Sequence, residues 1–232
     1  MKTRINIQHY IKQSHNKVLN EAKERYLYNE IIVLQKDFLQ DNIDLNFVLK
    51  YVESRIPFNL VRLVDAVYIG QFDELINREL DAKYENNAIY LTNYQMSNED
   101  MIDDIIHEIA HAAEELYLDN VYGDGLIEQE FKGKRTRLYY LLKEEGFNVD
   151  LNSFEDISYS IEFDNLLYKE IGYPILANLT SGLFVSPYGA TSIREYFANA
   201  FEHYFLNDLT SVKLISPTAY DKIQELLELG GM

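Results

Sequence analysis

Cysteine is absent from the chain, which excludes both disulfide bonds and thiolate metal ligands. Any metal site must therefore be built from histidine, aspartate or glutamate side chains. Long apolar runs are also missing, because none approaches the roughly 18–20 residues that a membrane-spanning helix requires, and we expect no membrane span. The content of 47% hydrophobic and 25% charged residues over 232 positions is typical of a globular protein with a sizeable core.

Basic residues are few: 21 lysines and arginines stand against 38 aspartates and glutamates, for a net charge of −17. A surface of this sign repels a phosphate backbone, so we expect no nucleic-acid partner. The one notable basic cluster is K-G-K-R-T-R at residues 132–137. It precedes a predicted helix, and we interpret it as a solvated helix start.

The N-terminus, M-K-T-R-I-N-I-Q-H-Y-I-K, carries charge but lacks the apolar core of a secretory signal peptide. We therefore expect a protein that stays in the cytoplasm or is released without a Sec signal peptide. The residues leave the choice between these locations open, and they leave the oligomeric state open as well.

The spacing and type of the apolar residues predict an α+β fold that is mostly helical, with a small mixed sheet. Helical spacing and flanking turn residues mark the helices, and β-branched runs mark the strands. The predicted helices cover residues 14–40, 44–56, 130–146, 163–172, 193–205 and 217–230, and the predicted strands cover 60–69 and 88–92.

The strongest helical pattern begins after Ser97, a predicted N-cap that is followed by Glu99 and Asp100 in the first turn. An apolar stripe continues at helical spacing and ends near residues 121–125. The residues predicted to be buried in this stripe are Ile102, Ile105, Ile106, Ile109, Ala113 and Leu116.

The same helix carries the sequence H-E-I-A-H at residues 107–111. His107 and His111 are one turn apart on one face, so both rings can reach a single point. Zn²⁺ binds imidazole nitrogens at about 2.0–2.1 Å, and a rigid helix can hold two of them. Glu108 lies off the ligand pair but within reach of a water on the open side of the metal, where it can act as general base. The alternative is an ordinary amphipathic helix that carries two imidazoles.

A catalytic zinc site needs a third protein ligand. In the extended histidine motif it would lie six residues after His111, but that residue is Tyr117, so a carboxylate from a second helix is expected. Glu195 and Glu202 are the candidates, and each has another interpretation. Glu195 completes a capping box with Ser192, and Glu202 could face solvent. The remaining histidines are interpreted as surface or core residues: His9, His15 and His203.

H-E-I-A-H together with the downstream Y-G-A-T-S-I-R-E-Y-F-A-N-A-F resembles the catalytic domain of anthrax-toxin lethal factor and its zincin relatives, which include the secreted Pro-Pro endopeptidases. In that family a tyrosine lies seven residues before a glutamate, as Tyr188 lies before Glu195. The resemblance implies that Glu195 is the third zinc ligand and that Tyr188 stabilises the oxyanion. It also implies a zincin-like catalytic domain over residues 60–232, after an N-terminal helical part at 1–59.

Three features depart from that family. Asn199 stands where a glutamate often bonds a zinc-bound histidine, so we expect it to be an uncharged partner of the ligand shell. His111 and Glu195 are separated by 84 residues, more than is usual, which indicates an insertion at 126–170 that could cover the cleft. The missing signal peptide is unlike the secreted members.

The resemblance implies a zinc-dependent endopeptidase acting on a peptide or protein substrate. Zincins bind extended substrates by adding a strand at a sheet edge, and we expect residues 88–92 to form that edge. The alternative is a catalytically inactive zincin-fold protein with a binding or structural role, of viral or mobile-element origin.

Overall fold

The computed structural model describes residues 25–206 and 209–230, which form an α+β fold, mostly helical, with one small mixed sheet, as predicted. The strands are β1 (Arg25–Leu27), β2 (Ile31–Gln35), β3 (Ala66–Ile69), β4 (Ala82–Glu85) and β5 (Ala88–Leu91). The α-helices are α1 (Leu45–Arg55), α2 (Asp73–Arg78), α3 (Asn98–Leu116), α4 (Leu118–Tyr122), α5 (Leu126–Glu144), α6 (Leu151–Glu155), α7 (Ile161–Asn165), α8 (Tyr173–Leu179), α9 (Ile193–Leu206), α10 (Leu209–Ile215) and α11 (Pro217–Leu229). Within these described ranges, every helix lacks the length or the apolarity needed to cross a bilayer.

The sheet has the strand order β1-β2-β3-β5-β4, in which β2, β3 and β5 are parallel and each outer strand is antiparallel to its neighbour. Alternate residues of the inner strands are fully buried, because successive side chains of a strand point to opposite faces. These residues are Val67, Ile69, Ile89 and Leu91. Helix α3 packs against β4 and β5, and α1 packs against α3 and β1, so sheet and helices share one core.

The predicted helix over residues 14–40 is wrong where the structure describes it. Residues 25–35 form the β1–β2 hairpin, and residues 14–24 lie outside the described residues. Tyr28 and Asn29 begin the three-residue turn at 28–30 with φ of 55° and 59°, left-handed conformations that suit a tight turn between paired strands. Parallel pairing of β2 with β3 outweighs the local helical spacing, and it joins the segment before residue 60 to the sheet.

The predicted strand over residues 60–69 is too long, because only Ala66–Ile69 pair as β3. Leu60 and Val61 lie in a 3₁₀ turn, Phe58–Val61, that follows Pro57, and both are fully buried there. Residues 60–69 thus contribute to two elements of the core, the 3₁₀ turn and β3, rather than to one strand.

The predicted strand over residues 88–92 is confirmed as β5, but it is not the sheet edge, because β5 lies between β3 and β4. Asn86 and Asn87 have φ of 50° and 61° and turn the chain back, so that β4 pairs with β5. Strand β4, with the sequence A-K-Y-E, has little β propensity and was not predicted. Strand β4, and not β5, is therefore the edge strand on this side of the sheet.

Helix α3 begins after Ser97 as predicted, since the Ser97 hydroxyl oxygen accepts the Asp100 N–H at 3.1 Å. The helix ends at Leu116, before the predicted end near residues 121–125. Its predicted stripe is buried at Ile102, Ile105, Ile106, Ile109 and Ala113, and Leu116 is half-buried. The other predicted helices are found within a few residues as α1, α5, α7 with the adjoining π-helical segment Leu166–Ile171, α9 and α11.

The interpretation of residues 132–137 as a solvated helix start is wrong at Arg135. This residue lies within α5 and is only 1% exposed. Its guanidinium group donates to the carbonyl oxygens of Ala190 (2.9 Å), Thr191 (3.2 Å), Ser153 (2.5 Å) and Asp156 (3.1 Å). The group also stacks on the Phe163 ring, 3.8 Å from its centroid. The planar fork of arginine suits this arrangement, although burial lowers the pKa of Arg135 to about 9. Helix α5 thereby holds the turn that precedes α9.

We expect Arg135→Lys to lower the free energy of unfolding by about 2–4 kcal/mol, because a lysine ammonium cannot bond all four carbonyls and leaves buried acceptors unpaired. Urea denaturation followed by circular dichroism measures this change. Arg137→Lys, at an exposed position of the same helix, is the matched control and should shift stability by less than about 0.5 kcal/mol. Equal stability of the two variants would contradict the role given to Arg135.

Candidate metal centre

Helices α3 and α9 bring three side chains to one point. His107 and His111 come from α3, and their ring centroids lie 5.1 Å apart. Glu195 comes from α9, with Oε2 at 3.0 Å from His107 Nε2 and Oε1 at 3.5 Å from His111 Nε2. One ligand atom of each residue lies within 4.8 Å of the others. The three residues singled out in the sequence as metal ligands are therefore neighbours in space.

Both sequence interpretations of Glu195 contain part of the observed arrangement. The Glu195 backbone N–H donates to the Ser192 hydroxyl oxygen at 3.2 Å, so Ser192 caps α9. The Glu195 carboxylate, in contrast, points at the two imidazoles rather than back along the chain. The cap and the candidate ligand thus use different atoms of the same residue.

Asn199 does not occupy the position predicted for it. Its amide nitrogen donates to the Glu195 carbonyl oxygen at 3.0 Å, and its amide oxygen accepts from the Ser186 hydroxyl. The carboxylate beside His107 is that of Glu202, whose Oε2 lies 3.0 Å from His107 Nδ1. Glu202 lies seven residues after Glu195, two turns along one face of the helix, and this spacing could have indicated it. The alternative that Glu202 faces solvent is wrong, because it is half-buried.

The second imidazole has a partner that the sequence reasoning missed. Glu114 follows His111 by three residues and is 2% exposed, and its Oε2 lies 3.3 Å from His111 Nδ1. The spacing of three residues on a helix was the available signal. Arg194 and Tyr122 also donate to this carboxylate, at 2.9 and 2.7 Å. In each imidazole, Nδ1 therefore contacts a carboxylate outside the three candidate ligands, which we call the outer carboxylate, and Nε2 is directed at Glu195.

These contacts determine the charges of the cluster. Burial alone would lower the pKa of His111, but its hydrogen bonds with Glu114 and Glu195 raise that pKa to about 9. Burial opposes charge on His107 as well, yet its bonds with Glu195 and Glu202 raise the pKa well above the ordinary value. Burial would raise the pKa of Glu195, but the bonds from the two histidines hold it well below its usual range. Positive charge between these carboxylates is strongly favoured.

The donor set suits a zinc ion. With each Nδ1–H given to an outer carboxylate, the Nε2 atoms of His107 and His111 are the ring nitrogens left to bind metal. Two ligands of a tetrahedral zinc ion, each at about 2.0–2.1 Å, lie about 3.3 Å apart. The observed Nε2–carboxylate distances to Glu195, 3.0 and 3.5 Å, bracket that separation. Two imidazole nitrogens and one carboxylate oxygen also match the chemistry of a catalytic zinc site.

Glu108 is buried beside the ligand pair, with 6% of its surface exposed. Its Oε2 accepts the backbone N–H of Tyr84, which belongs to β4 at the edge of the sheet. Burial is the main cause of a raised pKa for the Glu108 carboxyl group. A carboxylate with a raised pKa binds a proton more readily, as a general base must.

Tyr188 lies in the 3₁₀ turn Tyr188–Ala190 before α9, and its ring centroid is 6.3 Å from that of His107. Burial and the negative charge of Glu195 raise the pKa of Tyr188, so its hydroxyl group keeps its proton at neutral pH. Arg135 binds the carbonyl oxygens that end this turn. A helix of the predicted insertion at 126–170 thus supports the turn that carries Tyr188.

Comparisons of the chain with family models, with curated proteins and with solved structures found no significant match. The chemistry of the site is therefore inferred from its own residues. Their arrangement can hold a divalent cation next to a buried carboxylate at a sheet edge.

We expect the free energy of unfolding of chelator-treated protein to fall as the pH rises from about 6.5 to about 9. The pKa of His111 is about 9 in the fold and 6.5 ordinarily, so its stabilisation is complete below pH 6.5 and is lost as the pH passes 9. The loss should be on the order of 1–3 kcal/mol by urea unfolding in EDTA. His111→Gln should flatten the fall and His203→Gln should keep it. A His111→Gln curve like that of the wild type would contradict this account.

Proposed function

We propose that this protein is a zinc-dependent endopeptidase of the zincin class, similar to the lethal-factor catalytic domain and the Pro-Pro endopeptidases. The observation that carries the proposal is the meeting of His107, His111 and Glu195, with Glu108 buried beside them at a sheet edge. Metal-assisted hydrolysis of a peptide bond requires three protein ligands and a separate base, and these residues supply both.

When bound, zinc supplies a Lewis acid for the scissile carbonyl and lowers the pKa of water at its open position. His107 and His111 would hold it through Nε2, and Glu195 through its carboxylate. Glu202 bonds the Nδ1 atom of His107, which orients that ring and makes it a more basic ligand.

Glu108 acts as the general base in this proposal. Its raised pKa suits it to take a proton from the attacking water and to return that proton to the leaving amine. The hydrogen bond from the Tyr84 N–H fixes the position of this carboxylate at the edge strand.

Tyr188 and β4 position the substrate carbonyl and the peptide. The protonated Tyr188 hydroxyl group can donate to the developing oxyanion, as the resemblance implies. The Tyr84 N–H is directed to Glu108 rather than to β5, so this side of β4 faces the site. We propose that an extended peptide adds to β4, in place of the edge first expected at residues 88–92.

Glu108→Gln should reduce peptide hydrolysis by about 10²–10⁴-fold while one zinc ion per chain is retained, because the amide keeps the size of the side chain but cannot accept the proton. Zinc content by mass spectrometry and cleavage of a broad peptide library measure the two quantities. Glu99→Gln, an exposed charge change on the same helix, should leave both unchanged.

Full hydrolysis by Glu108→Gln would rule out the general-base role. Wild-type protein that binds zinc but cleaves nothing in the library would instead favour the alternative, a catalytically inactive zincin-fold protein with a binding or structural role.

Glu195→Ala should lower zinc affinity at least about 100-fold, since it removes one of three ligands. Ser192→Ala is the matched control, because it removes only the cap of the same helix. It should cost about 1 kcal/mol of stability and leave zinc bound. Competition with a chromophoric chelator measures affinity. Unchanged affinity in Glu195→Ala would show that the Glu195 carboxylate is not a zinc ligand.

A further inference from the structure

The Glu114 carboxylate is buried, yet hydrogen-bond donors surround it. Oε1 accepts from the Tyr122 hydroxyl at 2.7 Å and from Arg194 Nε at 3.1 Å. Oε2 accepts from Arg194 Nε at 2.9 Å and faces His111 Nδ1 at 3.3 Å. Three side chains, those of Tyr122, Arg194 and His111, thus contact this buried carboxylate.

The place of Arg194 in the chain gives this cluster a second property. Arg194 immediately precedes Glu195, so its bond to Glu114 joins α3 and α9 where each helix carries a candidate ligand. On the other side of the site, Glu202 of α9 bonds His107 of α3 directly. Glu114 belongs to the same helix as His111, and Arg194 ties it to the helix of Glu195.

Stability alone does not account for the ion pair between Arg194 and Glu114. The Arg194 side chain is 56% exposed, and ion pairs with an exposed partner contribute little to stability. Burying the Glu114 charge, in contrast, carries a desolvation penalty. The contact with His111 Nδ1 gives this carboxylate a use in the site, since an outer carboxylate sets the tautomer and direction of a metal-binding ring.

We propose that Glu114, held by Arg194 and Tyr122, is a positioning residue that directs Nε2 of His111 toward a divalent transition metal and thereby sets the affinity of the site. The inference rests on the proposed function, because it takes His111 as a metal ligand. In this proposal His111 has a carboxylate partner on its own helix, Glu114, and Arg194 holds that partner from the helix of Glu195.

The test measures Zn²⁺ affinity by chelator competition, and the Co²⁺ absorption spectrum, on the full chain with folding verified by circular dichroism. Glu114→Gln keeps the shape of the side chain and removes its charge, so we expect affinity to fall about 10–100-fold and the Co²⁺ bands to shift. Arg194→Met and Tyr122→Phe should weaken binding in the same direction by smaller factors. Glu115→Gln, the exposed neighbour with the same charge change, should stay within about twofold of wild type.

A Glu114→Gln protein that melts at lower temperature but keeps wild-type zinc affinity and Co²⁺ spectrum would overturn the proposal, because Glu114 would then be only a tie between helices. If Glu114→Gln does not fold, Arg194→Met and Tyr122→Phe decide, and wild-type affinity in both would overturn it. Failure of the proposed function is distinguishable, because it would appear as wild-type protein without zinc or as wild-type affinity in Glu195→Ala.

Discussion

The contact between the Asn98–Leu116 and Ile193–Leu206 helices is the constraint on which the candidate site depends. It places the Glu195 carboxylate against the Nε2 atoms of His107 and His111, 3.0 and 3.5 Å away. Metal sites tolerate displacements of only about 0.5 Å, so both helices must be held rigidly. The sheet and the buried isoleucine stripe hold the first helix, and the Ser192 cap and the turn bound by Arg135 hold the start of the second.

Electrostatics gives the same region its chemical character. Carboxylates of Glu108, Glu114, Glu195 and Glu202 lie around two imidazoles, and none of the four is exposed. Buried negative charge is costly unless positive charge balances it. The imidazoles meet this requirement by holding protons, and a divalent cation between the Nε2 atoms and Glu195 would meet it in their place. Glu108 differs from the other three carboxylates, because it bonds the backbone of a strand rather than a ring nitrogen.

Sequence patterns predicted the elements whose structure depends on neighbouring residues. They failed where contacts between distant segments decide the structure. Ser97, the apolar stripe and the i, i+4 histidines predicted the first helix, and Ser192 predicted the start of the second. The β1–β2 hairpin was missed because apolar residues in that stretch also repeat at helical spacing, and pairing with β3 overrides that pattern. Strand β4 was missed because A-K-Y-E has no strand signal of its own and pairs only after the Asn86–Asn87 turn. Glu202 replaced Asn199 as the partner of His107 because helix rotation, which no local pattern reports, decides which residue reaches the ring.

X-ray absorption at the zinc edge of reconstituted protein would show whether His107, His111 and Glu195 share one cation, because it reports the atoms around the metal and not a downstream activity. We expect one zinc per chain with two imidazole nitrogens, one carboxylate oxygen and one further oxygen at about 2.0–2.1 Å. Replacing Glu195 by alanine should remove the carboxylate scatterer and leave the imidazole signal. A spectrum without imidazole scattering, or one identical in the two proteins, would contradict the claim that His107, His111 and Glu195 share one cation.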